Sequence, residues 1–449
     1  MQRIFLPPTL SWLAVVALTS TPTLGVAKTL LTQSDQVNLS AVTSVISSDK
    51  ASATSMGASF NLEDALRLAL QYHPDISAAK REIAATEASL RQAGLLRNPE
   101  LVATMEDARS DNRSTTWQLN QAIELGGKRH ARVSVAERGL QAAKMDFTIM
   151  LNEIRATVTT RFYDVLIAAE RQRLARASLE LTQRAYSAAK KQVAVGKVAP
   201  LEESKARVAQ SSAQLELSQA ESELIIARQK LQSMIGSMPL PTELQGRFDA
   251  LPLLPDSLDL EKQLTQSPHI LKAQIEVEKR VAMADMERSK QIPDLTLSLG
   301  AKREPLTGRQ QAIVGIAIPI SLFDRNQGNV QETLSRVDKA KDELRSTQIR
   351  IRNDLTQAHK RLGFAIAEAQ LGQSEVLPNA QTAFDLALKG FEFGKFNFLD
   401  VLDAQRSLLA AKAQYLRSCG DVHRATAEIQ KLLDVRAIEF YPATTSFQE

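Results

Sequence analysis

The most constraining feature of this chain is residues 128–195, a run of 68 positions with no proline and one glycine, Gly139. It is rich in Ala, Leu, Arg, Glu and Gln, the strong helix formers. A continuous helix of that length measures roughly 100 Å, several times the usual length in a globular domain. Its apolar residues recur every seven positions: Val133, Leu140, Phe147 and Ile154, then Leu174, Leu181, Ala188 and Val195. That spacing predicts left-handed supercoiling against neighbouring helices. One helix cannot bury such a stripe alone, so the rest of the chain has to supply partners.

The rest of the chain repeats one plan. Asn61 caps a short helix over 62–71, and Pro74 opens a second over 74–96 that Asn98-Pro99 stops. Residues 100–108 and 115–124 read as strands, with Ser110-Asp111-Asn112-Arg113 as the turn. In the second of them Trp117, Leu119, Gln121 and Ile123 alternate with Gln118, Asn120, Ala122 and Glu124, the period of a strand with two unlike faces. Gly126-Gly127 breaks the strand, the long helix follows, and a return helix covers 201–235. Pro239, Pro241, Pro252 and Pro255 mark a linker, 239–257.

Pro268 and Pro293 then stand where Pro74 and Pro99 stood, 194 positions later. Strand-like segments recur over 294–302 and 311–322, and a second long helix over 326–393. Val330, Val337, Leu344, Ile351, Ala358 and Ala365 keep its seven-residue spacing. Gly363, Gly372 and Pro378 make it less uniform and predict a bend near Pro378. Gly394-Lys395 matches Gly196-Lys197 at an offset of 198, and a return helix over 398–433 closes the plan. This is an internal duplication: a first repeat over 60–238, a second over 258–436, and a tail over 437–449.

The N-terminus reads as a secretory leader. Arg3 precedes an apolar run over 10–18, and Gly25 and Ala27 offer small residues for cleavage after Ala27. A membrane anchor is the alternative, but a spanning helix needs about 20 apolar residues. No cysteine lies near the cleavage point for a lipid anchor. Residues 28–59 are Ser/Thr/Ala/Val-rich and read as a flexible lead-in. A chain with this sequence meets a membrane, if at all, with strands. Open sheet edges are not tolerated in lipid, and bacterial barrels have even strand numbers from about 8 upward. Four strands per chain therefore call for an oligomer, a dimer giving 8 or a trimer giving 12. The alternative is a soluble helical protein with two surface hairpins.

Composition excludes several functions. Lys+Arg is 55 against 51 Asp+Glu, interspersed without a basic block, so nucleic acid is not a partner. The single Cys419 rules out an internal disulfide framework. The five histidines are scattered, with no pair at metal-ligand spacing, and Met283 and Met286 read as a core stripe. Gly126-Gly127-Lys128-Arg129 lacks the upstream Gly and following Ser/Thr of a phosphate loop. No catalytic set, metal site or cofactor is predicted. Asp400 and Asp403 lie three apart at the start of the last helix, hence on one face. In a symmetric oligomer they would form carboxylate rings that select cations; alone they complement the helix dipole.

Gly394-Lys395-Phe396-Asn397-Phe398-Leu399-Asp400-Val401-Leu402-Asp403-Ala404, with the duplicated plan, resembles the TolC family of outer-membrane efflux channels over nearly everything after residue 60. Leu119-Asn120-Gln121-Ala122-Ile123-Glu124-Leu125-Gly126-Gly127-Lys128-Arg129 and Phe323-Asp324-Arg325-Asn326-Gln327-Gly328 are similar to motifs of its heavy-metal, CzcC-like branch. The resemblance implies a mainly α fold with a small β part: a homotrimer whose duplicated long helices form a coiled-coil tunnel in the periplasm. Its four strands per chain would complete a 12-stranded barrel in the outer membrane. It implies a periplasmic adaptor (membrane fusion) protein and a proton-driven inner-membrane pump as partners, and passive export of heavy-metal cations without a cofactor. Export of drugs or small organic compounds by the same architecture, or a pore-free periplasmic scaffold, are the alternatives. The resemblance also places Asp400, Asp403 and Glu202 at the periplasmic entrance, and the tips Gly196, Lys197, Val198, Gly394, Lys395 and Phe396 against the adaptor. A Tyr and an Arg that help close the entrance in TolC are matched here by Phe391 and Phe396. Those rings cannot make polar bonds, so apolar packing is expected to hold the entrance shut.

Overall fold

The computed structural model describes residues 60–107, 113–236, 239–304, 308–393 and 395–433. The leader, the lead-in, the tail, the tip glycine Gly394 and most of the first hairpin turn lie outside them. The first repeat runs α1 (Leu62–Tyr72), α2 (Pro74–Ala93), β1 (Glu100–Glu106), β2 (Ser114–Ile123), α3 (Lys128–Ala194) and α4 (Pro200–Met234). The second runs α5 (Ser257–Leu264), α6 (Pro268–Ser289), β3 (Leu295–Glu304), β4 (Arg309–Ala317), α7 (Gln327–Leu371), a π-helical turn (Gly372–Val376), α8 (Leu377–Glu392) and α9 (Phe398–Leu432). The fold is mainly helical with one small sheet. No helix among the described residues is long and apolar enough to cross a membrane.

Local chemistry sets most boundaries. Asn61 and Asp64 form a reciprocal capping box at the start of α1, and Pro begins α2, α4 and α6, where its missing N–H costs nothing. α3 is an unbroken 67-residue helix. The bend expected near Pro378 is met by the π turn, which lies just before that proline. A proline cannot donate to the helical ladder, and the wide turn absorbs the mismatch.

The seam of the first coiled coil differs from the sequence reading. The seven-residue spacing is there, but one position later: Ala168, Ala175, Thr182 and Ala189 are buried, and Ala175 packs with Leu179 against Ala213, Leu217 and Ala220 of α4. Leu174 and Leu181 flank the seam half-buried. Small side chains fix the closest approach of two axes, and the larger ones pack around it. In α7 the expected set fits: Val337, Ile351, Ala358 and Ala365 are buried. Each short helix, α1 or α5, seals a core between the long helix and the return helix of its own repeat.

The sheet is antiparallel in the order β1-β2-β3-β4. Its faces differ. Leu101, Met105, Trp117, Leu119, Leu299, Val314 and Ile316 share one face by alternation, and all are exposed. The other face carries polar pairs: Asn120 Oδ1 accepts from Gln118 Nε2 and from Ser298 Oγ, both at 2.8 Å, and Lys302 Nζ donates to Glu106 at 2.7 Å. β4 was expected to reach residue 322. It stops at Ala317, because β3 begins at Leu295, after Pro293, and no strand among the described residues opposes residues 319–322.

A charged clamp joins sheet to helices. Glu124 is almost fully buried and receives both Arg132 amines, at 2.7 and 3.1 Å. Arg132 and Arg129 also donate to the carbonyls of Ala93, Leu95 and Gly94, which is why α2 ends at Ala93 rather than near 96. Asp294 of the second repeat takes Lys128 Nζ and the Leu125 N–H of the first. Gly126, at φ 69°, turns the chain where a Cβ would strike Ile292. Hydrogen bonding from Arg132 holds the Glu124 carboxyl below its ordinary value. Burial opposes ionisation of Asp294, but Lys128 and Leu125 outweigh it, and its carboxyl is also held low. Depressed carboxyls stabilise the fold above the unfolded-state value, and that stability is lost as pH falls through the folded-state value. Thermal melting followed by circular dichroism should therefore show full stability at neutral pH and a falling midpoint below about pH 4. Glu124→Ala should cost about 2 kcal/mol at pH 7 and blunt that acid sensitivity.

Candidate functional site at the helical tips

Both long helices run from the sheet to a pair of tight reversals. At about 1.5 Å per residue, the α3–α4 tip lies roughly 100 Å from the start of α3. Its geometry is a glycine-ended helix stop: the Gly196 N–H donates to Val193 O and the Lys197 N–H to Gln192 O, both at 2.9 Å. Gly196, at φ 75°, takes the left-handed conformation that this reversal needs. The α8–α9 tip repeats the wider of those bonds 198 positions later, with the Lys395 N–H donating to Gly390 O at 2.8 Å. The Phe396 N–H donates to the same carbonyl at 3.2 Å.

The two tips meet around a cavity of about 530 Å³. Val198 and Glu202 reach it from the first tip, and Phe391, Phe396, Leu388 and Leu402 from the second. The structure thus brings together Val198, Glu202, Phe391 and Phe396. The lining is mostly apolar, with Arg184, Gln192, Glu202, Asn397 and the buried Gln405 as its polar groups. Glu202 Oε1 also takes Lys205 Nζ at 3.2 Å.

Asp400 and Asp403 are placed elsewhere. Both are exposed on the first turns of α9, outside the cavity lining. Asp400 closes a capping box with Asn397: each accepts the other's backbone N–H at 3.0 Å. Gly196, Lys197 and Lys395 are exposed on the tips. Among the described residues, no group of three His, Cys, Asp or Glu side chains is placed to hold a metal ion.

Gly390 was missed by sequence reasoning. It is buried, and a Cβ built on it would lie 2.1 Å from Cδ2 of the Phe396 ring. Phe396, half-exposed at 50%, is seated on a residue that must lack a side chain. The available signal was a glycine inside a helical pattern, which usually has a packing reason.

A model of the family described as outer membrane efflux protein matches residues 65–237 and 260–434. This chain belongs to the outer membrane efflux protein family. Over 373 residues it is 44% identical to the cobalt-zinc-cadmium resistance protein CzcC of Cupriavidus metallidurans, covering 83% of this chain and 89% of that protein. A crystal structure of CusC superposes with a TM-score of 0.69 at 19% identity, covering 82% of this chain and 91% of that one. The open state of the Neisseria gonorrhoeae outer-membrane channel MtrE gives 0.71 at 18% identity, covering 83% and 88%. The protein is an outer-membrane efflux channel component, and its helices extend into the periplasm.

The tip geometry makes two predictions. Gly390→Ala should unseat Phe396, costing about 1–3 kcal/mol by overpacking. Together with Phe396→Ala, it should raise the closed-state leak of the protein in a planar bilayer. A leak unchanged in both variants would remove the ring from the closing contact.

Proposed function

We propose that three copies of this chain form a passive conduit for heavy-metal cations. The observation that carries this reading is the sheet. One face is apolar and exposed, the other is polar, and both edges are open. Such a sheet suits the wall of a barrel, with the apolar face in lipid and the polar face on a water-filled lumen. Three chains supply 12 strands, enough for a passage. The 44% identity to CzcC supports cobalt, zinc and cadmium as the cargo class. A periplasmic adaptor and a proton-driven inner-membrane pump select and energise the cargo; this chain only conducts it.

The tips are the entrance. Phe396, seated on Gly390, and Phe391 close it by apolar contact, with Glu202 on the facing hairpin. Gly196, Lys197, Val198, Gly394, Lys395 and Phe396 form the surface that the adaptor engages. Threefold repetition sets Asp400 and Asp403 in rings that attract cations, and Asp400 serves its helix cap at the same time. Opening moves the α8–α9 hairpin, because the π turn interrupts that arm whereas α3 runs unbroken.

Two measurements test this. In a planar bilayer the wild type should show a cation-selective conductance, and Asp400→Asn/Asp403→Asn should lose most of the selectivity. Unchanged selectivity would return both residues to capping. In cells, deletion of the gene should raise sensitivity to cobalt, zinc or cadmium, and restoring the chain should reverse it. Unaltered sensitivity to all three would shift the cargo to small organic compounds.

A further inference from the structure

The duplication fixes more than the number of strands. Pro99 and Pro293, which precede β1 and β3, stand 194 positions apart. The cap residues that open α3 and α7 are Gly127 and Asn326, 199 apart, both left-handed at φ 72° and 57°. These two offsets carry β1 onto β3 and β2 onto β4. They also carry pairing onto pairing. Val102 pairs with Gln118 in the first hairpin; shifted by 194 and 199 they become Thr296 and Ala317, which pair in the second. The two hairpins have one register, and the offsets reproduce it.

The same operation applies to the junction between hairpins. Within the chain β2 pairs with β3, with Leu119 opposite Leu299, Gln121 opposite Leu297 and Ile123 opposite Leu295. Carrying β2 forward onto β4 and β3 back onto β1 yields a pairing that one chain cannot make, because β2 and β3 separate those edges. Resting on the trimeric-barrel reading, we propose that residues 318–322 form the missing end of β4 and pair with β1 of the neighbouring copy: Ile318 with Met105, Ile320 with Ala103 and Leu322 with Leu101.

The exposed side chains agree with that register. Residues 319–322 have no strand partner among the described residues of their own chain, yet Ile318, Ile320 and Leu322 keep the alternation of Val314 and Ile316. Ile320 is 81% exposed and Leu322 65%. Across the junction they meet Leu101 and Met105, exposed at 66% and 62% on the other open edge. All six residues of the three pairs then fall on the apolar face, continuing it across the subunit boundary. A slip of one residue would turn one strand's apolar set toward the polar lumen.

Cysteine cross-linking tests the register. Directly opposed residues lie about 4.5–5.5 Å apart at Cα, within disulfide reach, whereas a two-residue diagonal lies about 7–8 Å apart. In membranes, oxidised Ile320→Cys/Ala103→Cys, and Ser321→Cys/Val102→Cys on the opposite face, should run as covalent species of up to three chains that collapse on reduction. The slipped pair Ile320→Cys/Leu101→Cys should stay at one chain. Preferential cross-linking of the slipped pair would overturn the register. So would no cross-linking in a protein that light scattering shows to be trimeric, and the trimeric reading would then stand. A monomer by light scattering would remove both.

Discussion

The constraint on which this structure depends is the pair of open edges on its four-stranded sheet. In water, unpaired N–H and C=O groups on β1 and β4 are hydrated at little cost. In hydrocarbon each would cost several kcal/mol. One face carries Leu101, Trp117, Leu119, Val314 and Ile316 in exposed positions, the kind of surface that lipid would cover. In the proposed barrel, an apolar face that seeks lipid and edges that cannot stand in lipid are reconciled by closure with other copies. The helices are held to the sheet through the clamp of Glu124, Arg132, Lys128 and Asp294. The clamp ties the start of α3 to the end of α2 and to the second repeat, so any rotation of a strand pair is passed to the long helices.

The two repeats are alike at the sheet and differ toward the tips. α3 runs unbroken through its 67 residues and packs on α4 through a cluster of Ala175, Leu179, Ala213, Leu217 and Ala220. The matching arm in the second repeat carries a π turn beside Tyr415, whose ring lies against Gly372. A duplicated chain thus holds one stiff hairpin and one with a built-in break. Such an asymmetry suits a structure that must keep its frame while part of it moves.

Much of this was legible in the sequence, and the parts that were not share a reason. The duplication, the hairpins and most helix ends follow from prolines, glycines and alternation, which act within a few residues. The seam at Ala175, Thr182 and Ala189 was placed one residue early, at Leu174, Leu181 and Ala188. A heptad reading favours large apolar residues, but the small ones decide how closely two axes approach. The end of β4 was placed at 322 from alternation alone, although pairing inside one chain ends at Ala317. Among the tip residues, Phe391 and Phe396 were found as a departure from a family pattern. Gly390, on which Phe396 rests, offers only the weak signal of a glycine inside a helical pattern. Asp400 is the hardest case, since a helix cap and a carboxylate ring require the same residue at the same position.

The two motifs that resemble the heavy-metal branch lie at the junction of sheet and helices. Glu124, Lys128 and Arg129 of the first are engaged in the clamp. In the second, Asp324 accepts the Asn326 N–H, and the Asn326 side chain donates to the Glu287 carbonyl and carboxylate, anchoring α7 to α6. Their side chains are spent on architecture, roughly 100 Å from the tips by the helical rise. Selection of a metal requires ligands that exchange a hydration shell for protein donors, and donors already locked in ion pairs and caps are poorly suited to that exchange. A motif shared with heavy-metal efflux proteins can therefore lie in residues whose side chains are engaged in ion pairs and caps, because what they specify is how this kind of conduit is joined together.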